Sequence, residues 1–282
     1  MHTFPNKLYF DSRFRADKRD KHADCSFTLP GGSLTIPQNY CALIDAVHIP
    51  NVFESVVDTN NQIYWQEKDL TTTYNHISML RTKQYSGTDL ALELQLAMNA
   101  QTSISGAYTV TFDIGTGILT VRSGTLNVSF AFWGRDWLED PTVVQLYWDP
   151  SGSPAIPTVL NDATEVLGCI REVPGFWHTE RSFDDFIDIN RVKVCYLCSG
   201  DIGNFQSVGP RGESDILRRI DMTSPFGNMC FDKLSSPFEK IDCGGQTLNT
   251  IRVQLRDSYG NLVDLRGRSY SFSLVFVDNS FL

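Results

Sequence analysis

Long apolar runs are missing from this 282-residue sequence. The opening "MHTFPNKLYFDSRF" contains no stretch of signal-peptide length, and no window reaches the roughly 18 apolar residues of a membrane span. Synthesis in the cytosol and no membrane span are therefore expected. Positive charge is scarce as well, with 24 Lys and Arg against 33 Asp and Glu, a formal charge of −9. Phosphate backbones are held by clustered cations, so no direct nucleic-acid binding is expected. The seven Cys, at 25, 41, 169, 195, 198, 230 and 243, are an odd number scattered through a large chain. That pattern suits reduced, buried thiols better than a disulfide framework. There is no internal repeat and no low-complexity segment.

Catalytic and metal-binding signatures are equally sparse. The five His stand alone, with no HExxH, and no serine lies in a GxSxG. "CYLC" at Cys195 and Cys198 lacks the second CxxC of a zinc site. Asp184, Asp185 and Asp188 in "SFDDFIDIN" lack the glycine and glutamate spacing of an EF-hand loop. "GDIGNFQSVGPRG" precedes no good helix and lacks the Lys-Ser/Thr ending of a phosphate-cradling loop. The expectation is a protein that is not an enzyme, with no cofactor and no metal.

What the sequence does have is β pattern, and its cleanest example comes last. Ile251, Val253 and Leu255 alternate with Arg252, Gln254 and Arg256, and then Phe272, Leu274 and Phe276 alternate with Ser271, Ser273 and Val275. Side chains in a strand point to opposite faces in turn, so each segment has a face suited to covering a core. The link from Asp257 to Arg268, about twelve residues, is too long for a tight hairpin and suits a crossing between sheets. Further strands are read in "KLYFDS", "CSFTLP", "YCALIDAVHIPNVF", "QIYWQE", "INRVKVCYLCSG", "SDILRRIDM" and "GNMCFDKL".

The centre of the chain differs. "TDLALELQLAMNAQ" places Leu90, Leu94, Ala97 and Met98 at helical spacing, with Ser86 or Thr88 as N-cap, and predicts a helix over about 88–100. A hairpin over about 108–122 follows, with a glycine turn at Asp113 to Gly117. "DPTVVQLYWDPSGSPAIP" reads as loop-rich, and "LNDATEVLGC" as one short helix. The predicted organisation is a discontinuous β-sandwich over 1–83 and 185–282, with an α+β subdomain inserted at 84–184.

Three stretches carry a resemblance. "LYFDSRFRADKRDKHADCSFTLP" with "CALIDAVHIPNVFESVVDTNNQIYW", then "YSGTDLALELQLAMNA" with "YTVTFDIGTGILTV", then "ILRRIDM" with "IRVQLRDSYGNLVDLRGRSYSFSLVFVD". Together they resemble the penton and minor capsid proteins of virophages, polinton-like viruses and related double-stranded DNA viruses. The resemblance implies a mainly β fold, a single jelly roll of two facing antiparallel four-stranded sheets with the α+β unit inserted or appended. The last two strands would lie in different sheets, and Trp65, Phe272, Leu274 and Phe276 would fill the core between them.

The implied function is that of a viral capsid structural protein. It would be a penton subunit forming homopentamers at the five-fold vertices of an icosahedral capsid and contacting the major capsid protein. A head-to-tail ring needs two complementary patches per subunit. Polar and mixed-charge loops supply the candidate interface residues: Arg13, Arg15, Lys18 and Arg19 in the loop from Asp11 to Asp24, and Asn60, Asn61, Asp257 and Asn261 in turns. An alternative is an internal minor or cement capsid protein linking capsomers, with other minor capsid proteins as partners. A reading of another class is a receptor- or glycan-binding β-sandwich module using Trp133, Trp137, Trp148 and Trp177, with a host receptor as partner. The virion capsid is the expected location.

Overall fold

The first strand of the chain pairs with the last. The computed structural model describes residues 4–29, 31–104, 107–148, 154–173, 175–202, 208–210, 212–236 and 239–281. The chain forms two compact units, Met1–Phe53 with Val192–Leu282, and Glu54–Arg191. In chain order the first unit opens with β1 Lys7–Asp11, β2 Asp24–Thr28, β3 Leu34–Thr35 and β4 Tyr40–Pro50. The second unit then supplies β5 Gln62–Lys68, β6 Thr73–Met79, α1 Gly87–Gln101, β7 Tyr108–Asp113, β8 Ile118–Ser123 and β9 Ser129–Phe132. It continues with α2 Arg135–Leu138, α3 Pro141–Tyr147, α4 Thr164–Leu167 and β10 Glu180–Ser182. The chain returns to the first unit with β11 Val194–Cys198, β12 Ile216–Asp221, β13 Met229–Lys233, β14 Ile241–Asp242, β15 Thr247–Leu248, β16 Thr250–Arg256 and β17 Ser271–Asp278.

In the first unit one antiparallel sheet has the order β1-β17-β4-β13, with the short β14 also on β4, and the other has the order β12-β11-β16-β2. The pairings are nested: β1 with β17, β2 with β16, β4 with β13 and β11 with β12, all antiparallel. A chain folded back on itself as one long hairpin and then rolled gives this pattern. The link between β16 and β17 thus joins strands of different sheets, as its length suggested.

The alternation read in the sequence sets the inner faces. Ile251, Val253 and Leu255 from β16 and Phe272, Leu274 and Phe276 from β17 all enter one apolar cluster. Phe10 stacks on Phe272 with ring centroids 4.6 Å apart, and Phe27 meets Phe10 edge-on at 5.2 Å. Each buried Phe contributes on the order of 2 kcal/mol of transfer free energy, with a smaller term from the ring geometry. On the outward face Ser273 is nevertheless buried, and its hydroxyl donates to Asp45 at 3.1 Å.

The second unit holds two three-stranded sheets, β6-β5-β9 and β10-β8-β7, with α1 packed against β7 and β6. The predicted helix forms with Ser86 as N-cap, its Oγ accepting from the Asp89 amide at 3.1 Å. Gly87 permits a close approach, because a Cβ there would meet the Phe112 ring at 2.3 Å. The predicted hairpin is β7 and β8, with Gly117 at φ 74° closing the turn.

Three expectations are corrected here. The boundary between units falls at residues 54 and 191, not at 84 and 184, because β5 pairs with both β6 and β9 of the second unit. Trp65, expected beside Phe272 between the sandwich sheets, instead sits in the second unit's core with Leu94, Tyr108 and Phe132. Finally, part of the segment read as loop-rich is α3, with Asp140 as N-cap and Pro141 in the first helical position.

At the centre of the second unit is an ionised carboxylate. Glu67 is fully buried and accepts from His76 Nε2 at 2.8 Å, Thr102 Oγ1 at 2.7 Å, Tyr108 OH at 2.9 Å and the amides of Ser103 and Ile104. Burial alone raises its pKa, but the hydrogen bonds from His76, Thr102, Ser103 and Tyr108 outweigh burial and hold it below the ordinary value.

Candidate assembly surfaces

The charged loop between β1 and β2 is folded by its own cations. Arg15 donates to three carbonyls, Asp20 O at 2.9 Å, Ser12 O at 2.9 Å and Lys18 O at 2.8 Å. Lys18 Nζ reaches the Arg13 carbonyl. The Ser12 hydroxyl accepts from the Tyr270 amide at 3.0 Å and meets His22 Nδ1 at 2.8 Å, which ties the loop to the start of β17. Burial, followed by the neighbouring Arg15 guanidinium, keeps the His22 pKa below its ordinary value.

Of the remaining cations, Arg13 pairs with Asp11 at 2.6 Å and Arg19 with Asp17 at 2.7 Å. These hydrogen bonds hold both carboxyls below the usual range. Two of the loop's cations are thus neutralised by their neighbours, and the loop also carries an exposed apolar residue. Phe14 is 76% exposed, with Arg13 and Lys18 each 5.9 Å from its ring centre.

The β16–β17 link is built around Asp257, whose Oδ1 accepts from the amides of Tyr259 and Asn261, both at 2.9 Å. Asn261 and Tyr259 are exposed at its tip. A cleft of about 440 Å³ is lined both by Asp20, Lys21 and His22 and by Leu262, Asp264 and Leu265. The fold thus brings together two loops that the sequence keeps more than 200 residues apart.

The two candidate asparagines of the second unit, Asn60 and Asn61, differ. Asn60 closes its own turn, accepting from the Val57 amide at 2.7 Å and donating to Ser55 O at 3.0 Å. Asn61, expected at the surface, is only 5% exposed. It occupies a chain segment held by the Leu80 amide, which donates to Asn61 O at 2.8 Å.

One surface escaped the sequence reading. On the outer face of the β1-β17-β4-β13 sheet, Tyr9 is 78% exposed and Phe231 is 64% exposed. His48 packs edge-on to Phe231 with centroids 4.8 Å apart. Lys7 pairs with Asp45 at 2.6 Å, and a groove of about 660 Å³ is lined by Lys7, Tyr9, Phe14, Asp45, His48 and Ser271, among others. The signal was present in "LYFD": once Phe10 points inward, its neighbour Tyr9 must point out.

Chemistry is sparse elsewhere. Among the described residues no group of three His, Cys, Asp or Glu is placed to hold a metal ion. Burial pushes the Cys195 and Cys198 thiols up to about 12, which keeps them protonated. Much of the glycine-rich stretch at 200–212 lies outside the described residues. Of the tryptophans considered as sugar platforms, Trp133 and Trp148 are core residues, packed edge-on at 5.3 Å, and Trp177 lies under Lys68.

No protein family and no curated sequence matches the chain. Solved structures do. The mavirus penton protein superposes with a TM-score of 0.56 over 96% of this chain and 98% of that one, at 7% identity. The fold is shared with a viral penton protein. A chain of the Sputnik virophage, determined by cryo-EM, gives a TM-score of 0.55 over 98% of this chain and 99% of that one, at 14% identity. At such identities the likeness speaks for the fold, and it extends over nearly the full length of each protein.

Proposed function

We propose that the chain is a capsid structural protein, the penton subunit of an icosahedral virus. The observation that carries the reading is the match to the mavirus penton protein over almost the whole of both chains. A chance sandwich would match one unit and leave the other over.

On this reading the first unit is a single jelly roll. The four nested antiparallel pairs support it, since rolling an eight-stranded hairpin produces two facing sheets with first and last strands side by side. Five subunits close a ring at the vertex through head-to-tail contacts and meet the major capsid protein at the rim. The loop carrying Arg13, Arg15, Lys18 and Arg19 and the link carrying Asp257 and Asn261 form one contact region, because other residues of the same two segments, Asp20 to Ala23 and Leu262 to Leu265, line a common cleft. Asn60 belongs to a second region, and Asn61, being buried, serves its own unit. No residue is catalytic, and the protein resides in the virion.

The test is the solution mass across a concentration and salt series, followed by imaging of particles. A stable species near five times 31.8 kDa, with density at the vertices, is expected. Monomers throughout, together with vertices built by another protein, would overturn the reading.

A further inference from the structure

The two strands that begin the first unit are both sheet edges, and they are treated differently. β2 is covered, because the Ala16 amide donates to Ser26 O at 2.7 Å across its open side. β1 is bare. The Phe276 amide donates to Asn6 O at 2.9 Å and the Ser12 amide to Tyr270 O at 3.0 Å, so the even-numbered residues face β17. In an antiparallel ladder the alternate residues then turn their N–H and C=O groups to the open side, here Lys7, Tyr9 and Asp11. Among the described residues no backbone group bonds to them.

Unpaired edges are templates for a further strand, and natural proteins commonly cover or blunt them. The sequence of β1 selects its own partner. Place a second copy of the strand antiparallel and centred on Tyr9. Each residue with free backbone groups now faces another: Tyr9 opposes Tyr9, and Lys7 opposes Asp11 on both sides of the axis. Backbone register and charge are satisfied by the same alignment. A shift by two residues keeps the hydrogen bonds but removes this double match of charges.

We infer that two copies of the chain associate through their β1 edges, forming one sheet continuous across a two-fold axis at Tyr9. Three opposed pairs exchange about six backbone hydrogen bonds. Lys7 keeps Asp45 and Asp11 keeps Arg13 within each copy, so the junction is a row of alternating charges, Asp45, Lys7, then the second copy's Asp11 and Arg13. The exposed Tyr9 rings meet at the centre on the outer face, beside the groove of about 660 Å³ that β1 lines. This association is independent of the vertex role. A head-to-tail ring brings unlike patches together and sets no Tyr9 against another.

Cross-linking of the full-length Tyr9→Cys protein tests the inference. Residues opposed in such a pair have Cα atoms about 5.5 Å apart, within disulfide range. The seven native Cys are all buried. Under mild oxidation a covalent two-chain band is expected, at about ten times the yield given by Phe231→Cys, which is also exposed and sits on the opposite edge strand. Equal yields, or no band, overturn the inference. Adding Lys7→Asp lowers the yield roughly fivefold by opposing like charges, and adding Asp11→Lys as well restores it. Failure to restore also overturns it. In the unaltered protein, amide exchange in residues 4–12 slows as concentration rises, and concentration-independent exchange counts against the inference in the same way.

Discussion

In the first unit, strands from opposite ends of the chain close around Phe10, Phe27 and Phe272, whereas the second unit is built within a single continuous segment and buries Glu67 among its apolar residues. Both cores are apolar, but the second also encloses a buried carboxylate whose oxygens are fully engaged. The difference bears on folding. The β1–β17 pairing must await the whole chain and its loop-closure cost, while the β5–β6 and β7–β8 hairpins and α1 can form early. It also makes the units separable by experiment, since all five Trp lie between Trp65 and Trp177, in the second unit.

Glu67→Ala is the sharpest break of the second core. It strands the buried donors of His76, Thr102 and Tyr108 and two amides, and is expected to cost about 5 kcal/mol. Denaturant unfolding followed by tryptophan fluorescence reads the loss directly. A shift below 1 kcal/mol would mean that the cluster tolerates neutral replacement, and the contrast between cores would fail.

Phe272→Ala is the matching break of the first core, worth about 4 kcal/mol through lost transfer energy and the cavity between the two sheets. The far-UV circular dichroism transition should move to lower denaturant while the tryptophan transition stays in place. If both move together, the two units unfold as one.

Acid should act more gently and on one side. The Glu67 pKa is lowered from 4.5 in the folded protein, so its stabilisation is complete above that value and is lost as pH falls through the folded pKa. Tryptophan-detected stability should therefore decline below about pH 4.5. In Glu67→Gln that decline should flatten, and an unchanged acid limb would assign the effect to other carboxylates.

The smallest effect on stability is expected from the surface loop. Arg13→Ala with Arg19→Ala removes two exposed pairs and should leave the unfolding midpoint unmoved, because such pairs are screened by water. If the loop is a ring contact, the same variant weakens the five-subunit species in light scattering. Loss of fold without change in assembly would reverse that assignment.

Much of the local structure was legible because it depends on neighbours. Period-two alternation gave the strands at 251–256 and 271–278, and Ser86 ahead of Leu90, Leu94 and Met98 gave the helix. Asp140 followed by Pro141 was a helix start that passed unread. Partners were harder. "QIYWQE" looks like a sandwich strand, and only its pairing with β6 and β9 assigns Trp65 and Glu67 to the second core. Asn61 looks like a turn residue at the surface and is buried. The loops that carry the candidates Arg13 to Arg19 and Asp257 to Asn261 share a cleft, which only the fold reveals, and it is lined by other residues of those loops, Asp20 to Ala23 and Leu262 to Leu265.

The sequence by itself determined where many of the strands lie, which face of the alternating ones is apolar, and the acidic character of the chain. Side-chain period and composition are local quantities, and a strand's inward face follows from them without knowledge of its neighbour. Only the tertiary structure decided that β1 lies beside β17, that the open side of β2 receives the Ala16 amide while that of β1 receives no backbone group among the described residues, and that five donors converge on Glu67. Each of these depends on which distant segments meet, and a two-residue alternation marks a face without naming the strand that will pair with it.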